Sequence, residues 1–427
     1  MVSDGQPRER SPRPAPELSA GTVPGPAPEP SAGTGPVAGF AGVPDVLPRS
    51  LADLGPLLGW LRDGGATDRR LDFPAGTALP DGRLDLCKQA LGPEGATLIA
   101  EALRDGGRQG PRPVRHLLLG TDGLGDDGAA TVADRTAGTG VETLYLGCNG
   151  ITAGGACRIA GSLLASEHVV TGVWLKRNPL GTGGGHAAAE LIAAASELRT
   201  LDLVQTGLDP AGAAVLAEAL LTAAAAGRRV ERLFLGGNPL GRAGAAPLAA
   251  LIAAGAVGEL YASAAGLGDA GALLLADALR RAPYGRTARL SVASNGIGPE
   301  AAARLVAAAA DAGVELLDLG RVRAAGTLGA ADNRIDTAAA TAIGAALAGR
   351  EHRLTHLVLA HTGMRSREAH RILDAAPGAA TPTRYVLGRG IATSVRRRLD
   401  VLSAHLPMPA LSADVAAVRS VHRTASP

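Results

Sequence analysis

The sequence predicts an α/β solenoid, a horseshoe with a continuous parallel sheet on its inner side and helices on its outer side. A repeated unit is the first reason, in LYLGCNGITAGGA (144–156), VWLKRNPLGTGGG (173–185), LFLGGNPLGRAGA (233–245) and LSVASNGIGPEAA (290–302). The second is the alanine-rich stretch after each unit, which has one apolar helical face. Composition is the third. Hydrophobic residues make up 46% of the 427-residue chain and aromatics only 2%, so the core must be built from Ala, Leu and Val. Small side chains packed closely favour a regular stack over a globule with large core residues.

Residues 1–50 hold 11 of the 28 prolines and almost no large apolar side chains, and are expected to be a disordered, partly polyproline arm. Residues 51–80 are expected to form an N-terminal cap. There, Leu51, Leu54, Leu58 and Leu61 share one helical face and can close the open apolar end of the first repeat. Phe73 and Pro74 are placed on the link into that repeat. About ten repeats are expected over residues 81–375, with first strand positions Leu84, Leu117, Leu144, Val173, Leu201, Leu233, Leu260, Leu290, Leu317 and Leu357. Ten strands spaced ~4.8 Å apart give an inner arc of roughly 43 Å.

Each unit opens with an L-x-L pair, whose two apolar side chains point to one side of a short strand. Three residues on stands an Asn-type position, filled by Asn149, Asn178, Asn238 and Asn295. An amide there can satisfy turn backbone otherwise buried without partners. Gln89, Asp122, Thr206 and Thr362 can substitute, whereas Ala265 cannot, so that turn is expected to be looser. Helices come next, as in GATLIAEALRD (95–105), GAAVLAEALLT (212–222), GALLLADALRR (271–281) and AATAIGAALAG (339–349). One unit departs: 14 residues separate Leu319 from Asn333, which inserts 11 residues at the strand's C-terminal edge. Residues 376–427 are expected to be a C-terminal cap and tail, with a last strand around Tyr385–Leu387 and a helix in TSVRRRLDVLSAHL.

Several function classes are excluded or disfavoured. A net charge of +2 gives no general electrostatic case for nucleic acid or membrane. The longest uncharged apolar stretch, residues 243–258, is too short and too rich in Ala and Gly to span a bilayer. Cys87, Cys148 and Cys157 form no CxxC pair and read as reduced thiols of a soluble, cytoplasmic protein. The glycines of GTGGGH (181–186) recur in most repeats and lack the Lys-Ser/Thr of a P-loop. His352, His356, His361 and His370 run from loop through strand to turn and helix, and so should diverge rather than hold a metal. No nucleophile sits in a recognisable elbow. Residues 381–427 carry seven arginines against two aspartates, read as the solvated face of a terminal helix. No catalytic residue, metal or cofactor is implied.

The concave face is where the sequence becomes informative. The middle residues of the L-x-L pairs should point into the cavity: Asp85, Leu118, Tyr145, Trp174, Asp202, Phe234, Tyr261, Ser291, Asp318 and Val358. Four of the chain's nine aromatics (two Trp, four Tyr, three Phe) fall in this row. Aromatics on a strand face away from the core offer large contact area at low entropic cost. Lys176, Arg232, Glu259 and His356 flank the leucines and should face the same cavity. The face suits a folded protein partner better than a phosphate backbone. The binding residues expected are Tyr145, Trp174, Lys176, Asp202, Arg232, Phe234, Glu259, Tyr261 and Asp318.

These L-x-L-x-x-N-x-L units with full helices, most of them spaced 27 to 33 residues apart, resemble the ribonuclease-inhibitor-like class of leucine-rich repeats over about residues 80–375. The resemblance implies a leucine-rich-repeat solenoid and a non-enzymatic scaffold or inhibitor-like module. That class also includes GTPase activators. Ran GTPase-activating proteins place a catalytic arginine on a loop leaving a strand, where its fixed charge neutralises the developing phosphate charge. Arg321 and Arg323 of the insertion, and Arg334 just beyond it, are comparable in kind. They lie late in the array, whereas that family's arginine lies toward its N-terminal repeats; there Arg177, beside Lys176, is the comparable loop residue.

Overall fold

A computed structural model of the chain describes residues 43–108 and 112–419. Thirteen strands form one sheet in strict sequence order. The first three are β1 (Leu71–Phe73), β2 (Gly76–Ala78) and β3 (Arg83–Asp85), paired antiparallel. From β3 onward every pair is parallel: β4 (His116–Leu118), β5 (Thr143–Tyr145), β6 (Gly172–Trp174), β7 (Thr200–Asp202), β8 (Arg232–Phe234) and β9 (Glu259–Tyr261). The run ends with β10 (Arg289–Ser291), β11 (Leu316–Asp318), β12 (His356–Leu359) and β13 (Arg384–Leu387).

Helices alternate with the strands. They are α1 (Gly55–Arg62), α2 (Gly92–Gly107), α3 (Gly125–Arg135), α4 (Ala153–Leu164), α5 (Gly184–Ala194) and α6 (Pro210–Ala225). Then come α7 (Gly241–Ala253), α8 (Gly268–Arg281), α9 (Pro299–Asp311), α10 (Thr337–Ala348), α11 (Ser366–Ala375), α12 (Thr393–Leu402) and α13 (Ala413–Ala417). Consecutive helices pack on one another to form the outer layer. Small residues let them approach: a Cβ on Gly185 of α5 would lie 2.4 Å from the Gly212 Cα of α6. Packing accounts for Gly183, Gly184 and Gly185 of GTGGGH, and a left-handed turn (φ 57°) for Gly181.

The strand register aligns Leu84, Leu117, Leu144, Val173, Leu201, Leu233, Leu260, Leu290, Leu317 and Leu357 in a single file. All ten are fully buried between sheet and helices. Each such side chain contributes about 2 kcal/mol of burial, so the file is the spine of the core.

At the turn rim, the Asn positions act between repeats as well as within them. Asn178 donates through Nδ2 to the carbonyls of Leu175 (3.0 Å) and Leu146 (2.9 Å). Its Oδ1 accepts from the amides of Asn149 (2.8 Å) and Ile151 (3.1 Å) of the preceding repeat. Asn149, Asn238, Asn295 and Asn333 repeat this arrangement. Asn295 explains why the turn at Ala265 is not looser: it accepts from the amides of Ala265 and Leu267, and Ala265 stays buried. The residue just before the Asn position is left-handed in nine repeats, and eight of these are not glycine, among them Cys148 (φ 58°), Arg177 (φ 59°) and Ala264 (φ 51°).

Both ends differ from the sequence expectation in detail. Phe73 lies in β1 rather than on a link, and its ring packs on Trp60 with centroids 5.4 Å apart. The hairpin covers the edge of the sheet while α1 covers the helix layer, because each layer presents its own open end. The arm expected to be disordered through residue 50 lies outside the described residues up to 42. Its last part is packed: Arg49 N–H donates to the Ala90 carbonyl (2.7 Å), and Val46 and Pro48 lie against Gly123 and Gly92. At the far end β13 and α12 stand where a strand and a helix were expected.

The insertion leaves β11 and folds back along the rim. Val322 N–H donates to Ser294 Oγ (3.0 Å), Arg321 pairs with Asp332 (2.9 Å), and Leu328 reaches Gly237 three repeats away. Asn333 then resumes the ladder.

Candidate protein-binding face

Alternation along each strand sends its middle residue, one position beyond the buried file, into the concave side. The register sets Tyr145 beside Trp174, Trp174 beside Asp202, Asp202 beside Phe234 and Phe234 beside Tyr261. The four rings form a continuous ladder. Centroids lie 6.3 Å apart for Tyr145–Trp174, 5.3 Å for Trp174–Phe234 and 4.4 Å for the stacked Phe234–Tyr261 pair. Trp174 and Phe234 come from strands two apart and meet across β7, whose middle residue is Asp202. The Lys176 ammonium sits 5.3 Å from the Tyr145 ring centroid, within cation–π range.

Electrostatics follow from this burial. Burial raises the Asp202 carboxyl to about 6, against the opposing pull of Lys176 and a hydrogen bond from the Val204 amide. Asp318 is also raised by burial, while the Gly320 amide (2.9 Å) and the Ser291 hydroxyl (2.9 Å) favour its charged form. Tyr261 donates to Glu259 (2.7 Å), and burial, together with that carboxylate, pushes its phenol up. Cys87 lies under the same cluster, its thiol pushed well up by burial and then by Asp85 and Asp122. A thiol so held is a packing atom and a poor nucleophile.

The nine expected binding residues therefore separate into groups. Tyr145, Trp174, Phe234, Tyr261 and Lys176 are brought together; Arg232 and Glu259 stand one position earlier on their strands. Asp202 and Asp318 are on the face but buried, and Asp318 is committed to Ser291 and Gly320. The aromatics were expected to stand open to solvent, yet Tyr145 is 8% exposed and Trp174 5%. They pack together with Cys87 and Leu118, and Val415 and Val418 of the C-terminal tail are seated on that cluster beside Phe234.

Sequence reasoning missed this tail, and of the residues that hold it named only Arg232 as a binding residue. The position preceding each first leucine forms its own row across the sheet: Arg83, His116, Thr143, Gly172, Thr200, Arg232, Glu259, Arg289, Leu316, His356, Arg384. Arg384 donates to the carbonyls of Ser403 (2.9 Å) and Leu406 (2.6 Å), and Arg289 to that of Ala410 (2.7 Å). Arg232 donates to Ser412 Oγ (2.9 Å) and pairs with Asp414 (3.0 Å). Thr200 donates to Asp414, and Arg83 to the Arg419 carbonyl (2.8 Å). The row was legible from the repeat. Its ligand was not, because residues 403–419 carry no repeat.

Other expected features are dispersed. Arg396 of the C-terminal basic run donates to the carbonyls of Leu387 and Gly388, while Arg397 and Arg398 are exposed. His352 is tied to the Leu347 carbonyl and the Leu354 amide. Burial and the neighbouring Arg384 and Arg289 lower His356. Among the described residues no three His, Cys, Asp or Glu side chains converge as a metal site, and no helix is long and apolar enough to cross a membrane.

No family model and no curated protein matches the chain. Among solved structures it is similar to a chain of the yeast Rad7–Elc1 complex, at 12% identity over 81% of this chain and 88% of that one, with a TM-score of 0.39. It is also similar to the leucine-rich repeat-containing protein LegL7 from Legionella pneumophila, at 14% identity over 77% of this chain and 92% of that one, with a TM-score of 0.42. With ten L-x-L-type strands in register, a rim of inter-repeat asparagines and a full helix per unit, the chain folds as a leucine-rich-repeat solenoid.

Proposed function

We propose that this chain is a non-enzymatic interaction module that grips a protein partner on its concave face. The observation that carries the reading is the four-ring ladder of Tyr145, Trp174, Phe234 and Tyr261. It spans five strands outside the main core, with a cation at one end and the Glu259 carboxylate at the other. Rings so placed do not fill the space between sheet and helices. They offer a desolvated centre within a polar surround, the usual anatomy of a protein-binding hot spot.

The test is an affinity pull-down from lysate of the source cell, comparing wild type with the Tyr145→Ala, Trp174→Ala, Phe234→Ala triple variant. Circular dichroism checks that both are folded. Partners lost by the folded variant support the reading; partners retained in full overturn it. A GTPase-activating role through a loop arginine has no observation in its favour: Arg321 is paired with Asp332, and Arg323 and Arg334 are exposed side chains on a rim loop.

A further inference from the structure

We infer that the segment Ala410–Arg419 is a resident ligand of the concave trough, a strap that a partner must displace by presenting a short acidic turn with two apolar residues of the same spacing. The partner half of this inference rests on the protein-binding reading; the docking of the strap stands by itself.

Three observations carry it. The anchors descend the sheet in order. From α12, beside the last strand, the tail is held by Arg384 of β13, Arg289 of β10, Arg232 of β8, Thr200 of β7 and Arg83 of β3. The segment thus runs across the parallel sheet from its last strand to its first, each anchor drawn from the same register row. Second, the contact is chemically matched. Arg232 donates to Ser412 Oγ and forms an ion pair with Asp414, the two charged side chains being 16% and 17% exposed. The single turn of α13 and its C-cap then set Val415 and Val418, three residues apart, against the cluster of Cys87, Leu118, Tyr145 and Trp174 on which Phe234 also packs. A cation precedes the aromatic trough, and a carboxylate precedes the two valines.

Third, the strap is bound as an exchangeable ligand is bound. From residue 403 to 419 only Ser403 and Ala417 are buried, and the tail forms no strand of the sheet. Few buried contacts and half-exposed backbone place a segment at the low-stability end of a fold. The fit also leaves a group unsatisfied, because the buried Trp174 Nε1–H has no acceptor among the described residues. A ligand that supplies a carbonyl or hydroxyl there gains what the strap forgoes. A tether of a few residues from α12 gives the strap a high effective concentration, so the closed form prevails until a better ligand arrives.

The experiment uses the full chain. A strap-open variant carries Asp414→Arg, Val415→Asp and Val418→Asp, all outside the repeats. In a Trp60→Phe background Trp174 is the sole tryptophan, and acrylamide quenching reads its cover directly. Quenching should rise several-fold on opening. A fluorescein-labelled peptide of residues 408–419 should bind the open variant and bind wild type about tenfold or more weakly, since the competent fraction sets the apparent affinity. Arg232→Glu should expose Trp174, and Arg232→Glu with Asp414→Arg should cover it again; that rescue separates a specific pair from general damage to the face. Equal quenching in wild type and open variant overturns the strap, as does equal peptide affinity. A concentration-dependent dimer that vanishes in the open variant also overturns it, by placing the tail on a second copy. Lysate partners captured equally by both proteins, with quenching and peptide binding as expected, overturn the displacement claim and the partner reading while the docked strap stands.

Discussion

The turn rim and the concave trough are each built from one residue per repeat, and they obey opposite rules. At the rim the same amide makes four hydrogen bonds of one pattern in Asn149, Asn178, Asn238, Asn295 and Asn333, with Asn295 shifted to the Ala293 carbonyl within its own repeat. In the trough the equivalent row runs through Asp85, Leu118, Tyr145, Trp174, Asp202, Phe234, Tyr261, Ser291, Asp318 and Val358, in which seven residue types appear and only Asp and Tyr recur. The rim must satisfy backbone that lies buried in every unit, so Asn recurs in five of the ten units and a polar side chain stands in for it in four of the others. The trough has no such obligation, and its variety is available for recognition.

Disrupting the rim should have the largest effect. Asn178→Ala strands the amides of Asn149 and Ile151 in a site closed to solvent, while the Leu146 and Leu175 carbonyls each keep a second donor, and should cost about 3 kcal/mol in a urea titration. A loss below about 1 kcal/mol would show that water replaces the amide and that rim and trough differ less than their chemistry suggests.

The trough should instead show a pH signature. Asp202 is raised to about 6 in the folded chain, above the ordinary carboxylate value near 4. Below about pH 4 it is neutral folded and unfolded, and burial carries no penalty. Between about pH 4 and 6 the folded state holds the extra proton, so stability should fall as pH rises, by roughly 3 kcal/mol across the window. Asp202→Asn should flatten that segment of the stability–pH curve, and an unchanged slope would assign it to other groups.

The smallest effect returns to the rim. Ala264 holds a left-handed φ of 51° in the one regular turn whose Asn position is alanine. Ala264→Gly relieves a conformation costly to any residue with a Cβ, offset in part by glycine's greater entropy loss, and should stabilise by about 0.5 kcal/mol. A thermal melt with the midpoint lowered would show that this turn favours the side chain over the relieved strain.

Much of the fold was legible because it is periodic. The ten first-leucine positions, the Asn row and the aromatic row all fall where the repeat projects them, since a repeated local rule leaves a repeated local trace. The left-handed residues before the Asn were not legible, because Lys88, Thr121, Cys148, Arg177 and Gln205 share no residue type; neighbouring repeats impose that backbone. The β1–β2 hairpin was missed for a related reason. Three-residue strands without a repeat give no pattern to count.

The concave face divides the same way. Unit spacing and strand alternation, both readable in the chain, settle which side chains share a row, because register in a solenoid follows from the one and facing from the other. They also settle the core file of leucines, whose burial drives the stack. It took the folded chain to cover Tyr145 and Trp174, to bring Trp174 and Phe234 together across Asp202, and to set Arg232 against Asp414, 182 residues further along the chain. These contacts join segments related by no local rule. They arise from curvature that brings alternate strands' rings together, and from a tail whose few charged and apolar atoms match a row set by the repeats.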